Sequence, residues 1–170
     1  PGLVDEVRGI NYTIKNLKYN NVKERLENRF DKFVYVKFGA GEVWHDAVLA
    51  CIENDWAGIE NLSLIPGTMG AAPLQNIGAY GVELKDVFHE LEALNIKSKA
   101  IKMFSKLECQ FGYRESIFKK EEKGNYIITS VTLKLNKHPK LNTSYGAIEK
   151  ELEVMGVKKP SIKAISDAVI

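Results

Sequence analysis

The chain has 170 residues, 45% of them hydrophobic and 27% charged, the composition of a folded globular protein rather than a disordered tail. Twenty-four basic against twenty-two acidic side chains leave a net charge of +2. The basic residues are dispersed (Lys15, Lys18, Lys23, Arg25, Arg29, Lys32), so a nucleic-acid partner is not expected. No stretch approaches the roughly 20 apolar residues of a membrane span, and the N-terminus has neither a basic region nor an apolar one of the kind that precedes secretion.

In chain order, Val4, Val7, Ile10, Tyr12 and Ile14 sit among charges and read as short strand pieces. Phe33 to Phe38 is a firmer strand, broken by Gly39, Ala40 and Gly41. Val43, Trp44, Ala47, Val48, Cys51 and Ile52 recur at helical spacing, which predicts an amphipathic helix from Glu42 to about Asn54, stopped near Gly58. Asn61 to Leu84 is too punctuated by glycine and proline to be one regular element. Val87 to Ile96 and Ala100 to Phe104 read as strands around a Lys97-Ser98-Lys99 turn. Ser105 with Glu108 forms a capping-box pattern for a short helix.

Tyr126 to Leu135 alternates as another strand after a Gly124-Asn125 turn. A polar loop from Asn136 to Ser144 leads to a helix over Ala147 to Met155 with Gly156 at its C-terminus. Ser161 then caps a final helix whose apolar face, Ile162, Ile165 and Val169, runs into the chain end. That cut stripe, and Pro1 in place of an initiator Met, are expected of an internal fragment.

Cys51 and Cys109 match no zinc spacing and are too few for a disulfide framework, which suits packed thiols in a reducing cytosol. His45, His89 and His138 are isolated, so no metal site is expected, and Trp44 and Trp56 read as core or lining residues.

Three segments carry candidate chemistry. The Gly-rich run from Ile65 to Gly81 offers backbone N–H groups unobstructed by side chains, suited to a pyrophosphate or a flat ring, or else it is a tight irregular connection. It is neither GxGxxG nor a Walker loop, and spacing alone leaves both readings open. In FGYRESIFK, Phe111 to Lys119, the forked and permanently charged Arg114 suits a carboxylate or a developing negative charge; by residue type alone, a surface arginine paired with Glu115 is favoured over that role. Tyr145, at a loop-to-helix junction, presents a phenol that either bonds a phosphate or closes a helix end.

Taken in order, GAGEVWHDAV (Gly39 to Val48), GIENLSLIPGTMGAAPLQNIGAYGVEL (Gly58 to Leu84), ECQFGYRESIFK (Glu108 to Lys119) and SYGAIEKEL (Ser144 to Leu152) resemble the middle of the UDP-N-acetylenolpyruvoylglucosamine reductase family, in its form with an inserted tyrosine loop. The resemblance implies an α+β fold, an FAD-binding subdomain of the PCMH/VAO-like type with the start of a substrate-binding domain. Residues 1–16 would be a remnant of a first FAD-binding subdomain, 17–135 the second, and 136–170 the entry to the substrate domain. It places Ile65, Pro66, Gly67, Gly70, Ala71, Ala72, Gln75, Asn76, Ile77 and Gly78 on the flavin-contacting stretch. Many relatives have serine where Ala71 and Ala72 stand, so any hydroxyl bond to the flavin is lost here.

The resemblance also makes Arg114 the catalytic arginine that binds the substrate carboxylate and stabilises its enolate. Tyr113 would line the same pocket, and Tyr145 would close over the diphosphate of a UDP-sugar. It implies FAD as cofactor, NADPH as co-substrate and a cytoplasmic enzyme. NADPH reduces the flavin, which passes hydride to the enolpyruvyl group before a serine, aided by a glutamate, protonates the adjacent carbon. That serine, that glutamate and a GSN-type pyrophosphate loop do not occur in this sequence, so the chain alone is expected not to turn over. A free-standing flavin- or nucleotide-binding module without catalysis is the alternative, and another FAD oxidase of the same broad fold ranks last.

Overall fold

The computed structural model describes residues 32–138 and 141–170, together with the backbone of 4–7 and 10–13. Val4–Val7 (β1) and Ile10–Thr13 (β2) form an antiparallel ribbon running from Val4 opposite Thr13 to Val7 opposite Ile10. This matches the strand pieces expected there; Ile14 lies outside the described residues.

The central sheet has four antiparallel strands: Phe33–Gly39 (β3), Phe88–Asn95 (β6), Ile101–Ser105 (β7) and Tyr126–Asn136 (β8), in the order β3-β8-β6-β7. Alternation turns one set of side chains inward. Val34 faces Leu135, Val36 faces Leu133 and Phe38 faces Val131, all buried. Phe88 and Leu91 are three residues apart, which plain alternation would send to opposite faces. A bulge between Phe88 and Glu90 restores both to the core. A second irregularity, beside Glu92 and Ala93, leaves Thr129 without a ladder partner on β6. Its hydroxyl donates instead to the carbonyl of Glu92 at 3.1 Å and to the Glu92 carboxylate at 2.8 Å. That bond, followed by the charge of Lys37, holds the Glu92 carboxyl below the usual carboxylate range.

Trp44–Glu53 (α1) lays Trp44, Ala47, Val48 and Cys51 on the inner face of the sheet, and the Trp44 indole donates to the carbonyl of Leu62 at 2.8 Å. The helix is two residues shorter at its start than its sequence pattern. Its C-cap is Asn54, and Asp55 after it, in the left-handed region at φ 56°, stops the helix ahead of Gly58. Gly58, at φ 137°, turns the chain back beneath Val87.

From Glu60 onward the chain is irregular, as its glycines and prolines foretold: 3-10 turns at Glu60–Leu62 and Ala72–Gln75, then a two-residue ribbon of Gly78–Ala79 (β4) and Val82–Glu83 (β5). Leu84–Val87 (α2) is a helical turn, so Val87 is not the first residue of a strand: the Asp86 carboxylate bonds the Glu83 N–H at 2.9 Å and winds the backbone there. Lys106–Cys109 (α3) carries the expected reciprocal bonds between Ser105 and Glu108. Ile117–Lys119 forms a further 3-10 turn.

Gly146–Val154 (α4) begins one residue earlier than expected and ends before a left-handed Gly156, while Ser161 caps Ile162–Val169 (α5) by accepting from Ala164 N–H at 3.1 Å. Asn136, expected in the loop, is the last residue of β8, because its backbone exchanges two 2.9 Å bonds with Ala57. Ile148, Leu152 and Ile165 make a small core of their own. The hydroxyls of Ser63 and Ser166, both buried, meet at 2.7 Å and join α5 to the main body.

Cys51 and Cys109 are buried and unlinked. Burial, then the nearby Glu60 carboxylate, pushes the Cys51 thiol far up; burial, then Glu108, pushes that of Cys109 up to about 12. Both are packing groups.

A β-carbon at Gly58 would stand 2.6 Å from Cγ1 of Val87, in a backbone conformation that side chains rarely adopt. Gly58→Ala is therefore expected to lower stability by about 1–3 kcal/mol, read from the urea midpoint. An unchanged midpoint would show that Val87 yields freely.

Candidate functional site

The first half of the Gly-rich segment is laid along the turn after β3. Gly67 O accepts from Trp44 N–H at 3.0 Å, while Met69 N–H donates to Glu42 O at 2.8 Å and Gly70 N–H to Ala40 O at 2.9 Å. Met69 is fully buried and pins the middle of the run. At Gly70 a β-carbon would lie 2.6 Å from that of Ala40, so the two backbones meet where only glycine permits. Pro66, Gly67 and Ala71 are exposed and Ile65 is half-buried. Gly67 has φ 120° and open space where a β-carbon would stand. An exposed, glycine-opened backbone of this kind fits the face of a flat ring.

The second half turns inward. Ala72 and Ile77 belong to the core, whereas Gln75 is exposed. Asn76 is fully buried in the left-handed region at φ 44°, and its amide is committed within the chain. Nδ2 donates to Gly112 O at 2.9 Å and Oδ1 accepts from Lys85 N–H at 2.9 Å. The Ser116 hydroxyl adds a parallel link by donating to Leu74 O at 2.7 Å. The Gly-rich run and the FGYRES turn are thereby bolted together.

That turn closes through reciprocal backbone bonds between Gly112 and Glu115, at 3.0 and 3.4 Å. Arg114 sits in it at φ 54°, its carbonyl accepting from Lys119 Nζ at 2.9 Å. The guanidinium does not pair with Glu115, which binds Lys120 at 2.5 Å instead and has its carboxyl held low by that bond. It reaches back across the Gly-rich segment, donating to the carbonyls of Gly78 and, at 3.4 Å, Asn76, with Glu83 Oε1 3.9 Å away. A β-carbon at Gly78 would stand 2.6 Å from Nη1 of Arg114 and 2.8 Å from Val82 O, so the arginine occupies space that glycine leaves. Tyr113 is 81% exposed, with the Arg114 guanidinium 5.2 Å from its ring centre.

Tyr145 occupies the N-cap of α4, 49% exposed, its ring edge-on to Tyr80 at 5.5 Å. Tyr80 belongs to the Gly-rich segment and takes φ 47°. The buried amide of Asn61 donates to Tyr80 O at 3.3 Å and to Asn142 O at 3.1 Å, tying the tyrosine loop to the same segment. The structure thus gathers all three sequence-derived segments around the 65–81 run. Glu83, Asn61, Asn142 and Ser116 were not singled out from the sequence. The only local signal among them is the Glu83-to-Asp86 spacing of a helix start.

Among the described residues, no group of three or more His, Cys, Asp and Glu side chains is placed to hold a metal ion. No described helix is long and apolar enough to cross a membrane.

Comparison with known proteins gives the class: residues 17–103 match the model of the FAD binding domain, and the chain belongs to that family. Within it, the sequence is similar to the UDP-N-acetylenolpyruvoylglucosamine reductase of Amoebophilus asiaticus, 61% identical over 81% of this chain and 40% of that protein. The enzyme of the same name from Flavobacterium johnsoniae is 54% identical over 82% of this chain and 42% of its own. The crystal structure of UDP-N-acetylenolpyruvylglucosamine reductase from Thermus caldophilus superposes with a TM-score of 0.54 at 26% identity, covering 74% of this chain and 44% of that one. The chain spans about two fifths of the length of the curated relatives it matches.

Replacing Asn76 by alanine would leave Gly112 O and Lys85 N–H without their partner. Asn76→Ala is expected to cost about 1–3 kcal/mol of unfolding free energy, measured by denaturant titration. A variant as stable as the parent would show that water replaces the amide.

Proposed function

We propose that this chain contributes the flavin-facing and substrate-facing parts of an FAD-dependent reductase that converts UDP-N-acetylenolpyruvoylglucosamine to UDP-N-acetylmuramate, with NADPH as the electron source, in peptidoglycan precursor synthesis. The observation that carries this reading is the placement of Arg114: its guanidinium leaves its neighbour Glu115 and settles on Asn76 and Gly78 of the Gly-rich run. A cation fixed on the same Gly-rich run that exposes its glycine backbone is an arrangement suited to holding an anionic substrate against a flat cofactor.

In this reading residues 17–135 form an FAD-binding subdomain, residues 1–16 the end of a preceding one, and 136–170 the entry into a substrate domain. Ile65, Pro66, Gly67, Gly70 and Ala71 present backbone to the cofactor, and Gln75 supplies a side chain. Ala72, Asn76, Ile77 and Gly78 fix the path of that backbone from the buried side. FAD, when bound, supplies the hydride relay between the nicotinamide and the enolpyruvyl double bond. Arg114 orients the substrate carboxylate and stabilises the negative charge that spreads onto it as the distal carbon is reduced. Tyr113 covers one flank of that cation, and Tyr145, braced against Tyr80, bonds the diphosphate. The partner is a small UDP-sugar, not nucleic acid, membrane or metal, and the setting is the cytoplasm, in keeping with two unlinked thiols.

Two substitutions test the assignments in a full-length relative carrying this chain in place of its matching segment. Arg114→Ala is expected to slow substrate reduction by about 100- to 1000-fold, the usual loss for one such electrostatic group, while NADPH oxidation changes far less. Stopped-flow separation of the two half-reactions checks this, and an unchanged second half-reaction removes Arg114 from the site. Tyr145→Phe is expected to weaken UDP-sugar binding by about 0.5–1.5 kcal/mol in a calorimetric titration. Unaltered affinity would make the phenol a purely structural group.

A further inference from the structure

We propose that Glu83 is the positioning residue for Arg114, a role that rests on Arg114 being the substrate cation of the proposed reaction. Glu83 stands opposite Gly78 in the β4–β5 ladder, so its backbone is set by the strand whose carbonyl receives the guanidinium. Its Oε1 lies 3.9 Å from Nη1 of Arg114, with the two side chains 22% and 39% exposed. The absent β-carbon of Gly78 leaves the space in which both meet: it would fall 2.6 Å from Nη1 and 2.9 Å from Cγ of Glu83. Glu83 is itself anchored, because its N–H donates to the Asp86 carboxylate at 2.9 Å where α2 begins. The arginine is therefore held by carbonyl oxygens at both terminal nitrogens and steered at Nη1 by a carboxylate of fixed origin.

A carboxylate beside a substrate-binding arginine would normally weaken its pull on an anion. Here Lys85 pairs with Glu83 and offsets that charge. Lys85 is charged at neutral pH in any case, and the bond to Glu83 raises its hold on the proton further. Asp86, bonded to the Glu83 N–H, is the second carboxylate of this cluster, and it too acts on Lys85. Glu83 thus orients the guanidinium while Lys85 offsets the negative charge beside it.

The two properties of Glu83, its charge at the start of α2 and its reach to Arg114, separate in two variants. Glu83→Asp keeps the charge, and aspartate is the better helix cap, but it withdraws the carboxylate from Arg114 by one methylene. Glu83→Gln keeps the length and removes the charge. In the chain itself, both are expected to speed phenylglyoxal modification of Arg114, followed by peptide mass spectrometry, by about two- to fivefold, as for release of a partly exposed ion pair. Should Glu83→Gln fail to fold, Glu83→Asp alone decides.

An unchanged modification rate in folded Glu83→Asp overturns the role of Glu83. In the grafted full-length relative, Glu83→Asp is expected to lower kcat for substrate reduction by about ten- to a hundredfold, with the NADPH half-reaction intact, as for a misplaced reacting group. Faster modification with undiminished kcat would instead overturn the assignment of Arg114 to the reaction, while the contact with Glu83 stood.

Discussion

The site depends on one buried amide. Asn76 joins Gly112 on one side to Lys85 on the other, and through its own carbonyl receives Arg114. Each bond is ordinary in strength, about 1 kcal/mol net, but breaking one leaves a polar group without water or partner, which costs more than the bond returns. The amide therefore acts as a geometric constraint. It sets the distance between the Gly-rich run and the turn that carries the arginine, stretches 36 residues apart in sequence.

Around that amide the backbone is bent into conformations that side chains seldom adopt. Leu64, Asn76, Tyr80 and Arg114 all have φ between 44° and 56°. Each such residue raises the energy of the folded state, and each persists where neighbouring bonds over-determine it. Leu64 N–H is held by His45 at 3.1 Å, Tyr80 O by Asn61, and Arg114 O by Lys119. Asp55, Lys99 and Gln110 share such angles outside the Gly-rich run and the FGYRES turn, but four of the seven among the described residues lie within those two segments or, for Leu64, directly before the first, and the sheet, with its buried apolar inner face, supplies the rigidity to hold them.

The connection between the sheet and the C-terminal helices is different in kind. It passes through polar contacts, the Ser63–Ser166 hydroxyl pair and the Asn61 amide, beside the small apolar cluster of Ile148, Leu152 and Ile165. Tyr145 thus rides on a unit joined to the Gly-rich segment by a few directional bonds and the packing of Tyr80, whereas Arg114 is hydrogen-bonded directly to that segment. In the proposed reaction Tyr145 closes over one end of the substrate while Arg114 stays fixed, and these two degrees of attachment suit those roles.

The sequence alone determined the elements whose causes are local. Period-two alternation marked β3 and β8, period-3.6 spacing marked α1, and the Ser105–Glu108 capping box and the Ser161 cap marked helix starts, because these patterns express interactions within one or two turns of the chain. It also marked the 65–81 run as irregular and, through its resemblance to a known family, the residues around which a flavin would lie. Where the pattern was ambiguous the structure decided: Val87 became helical because Asp86 reaches the Glu83 N–H, and Phe88 turned inward because a bulge added a residue. The partners of Arg114 were beyond the sequence altogether. By spacing its natural partner was Glu115, one residue away, yet the fold gives Glu115 to Lys120 and brings the Gly78 carbonyl to the guanidinium from 36 residues upstream. Only the tertiary structure could decide this, because a charge takes the partner that packing places within bonding distance, and packing is set by contacts between segments that sequence proximity does not record.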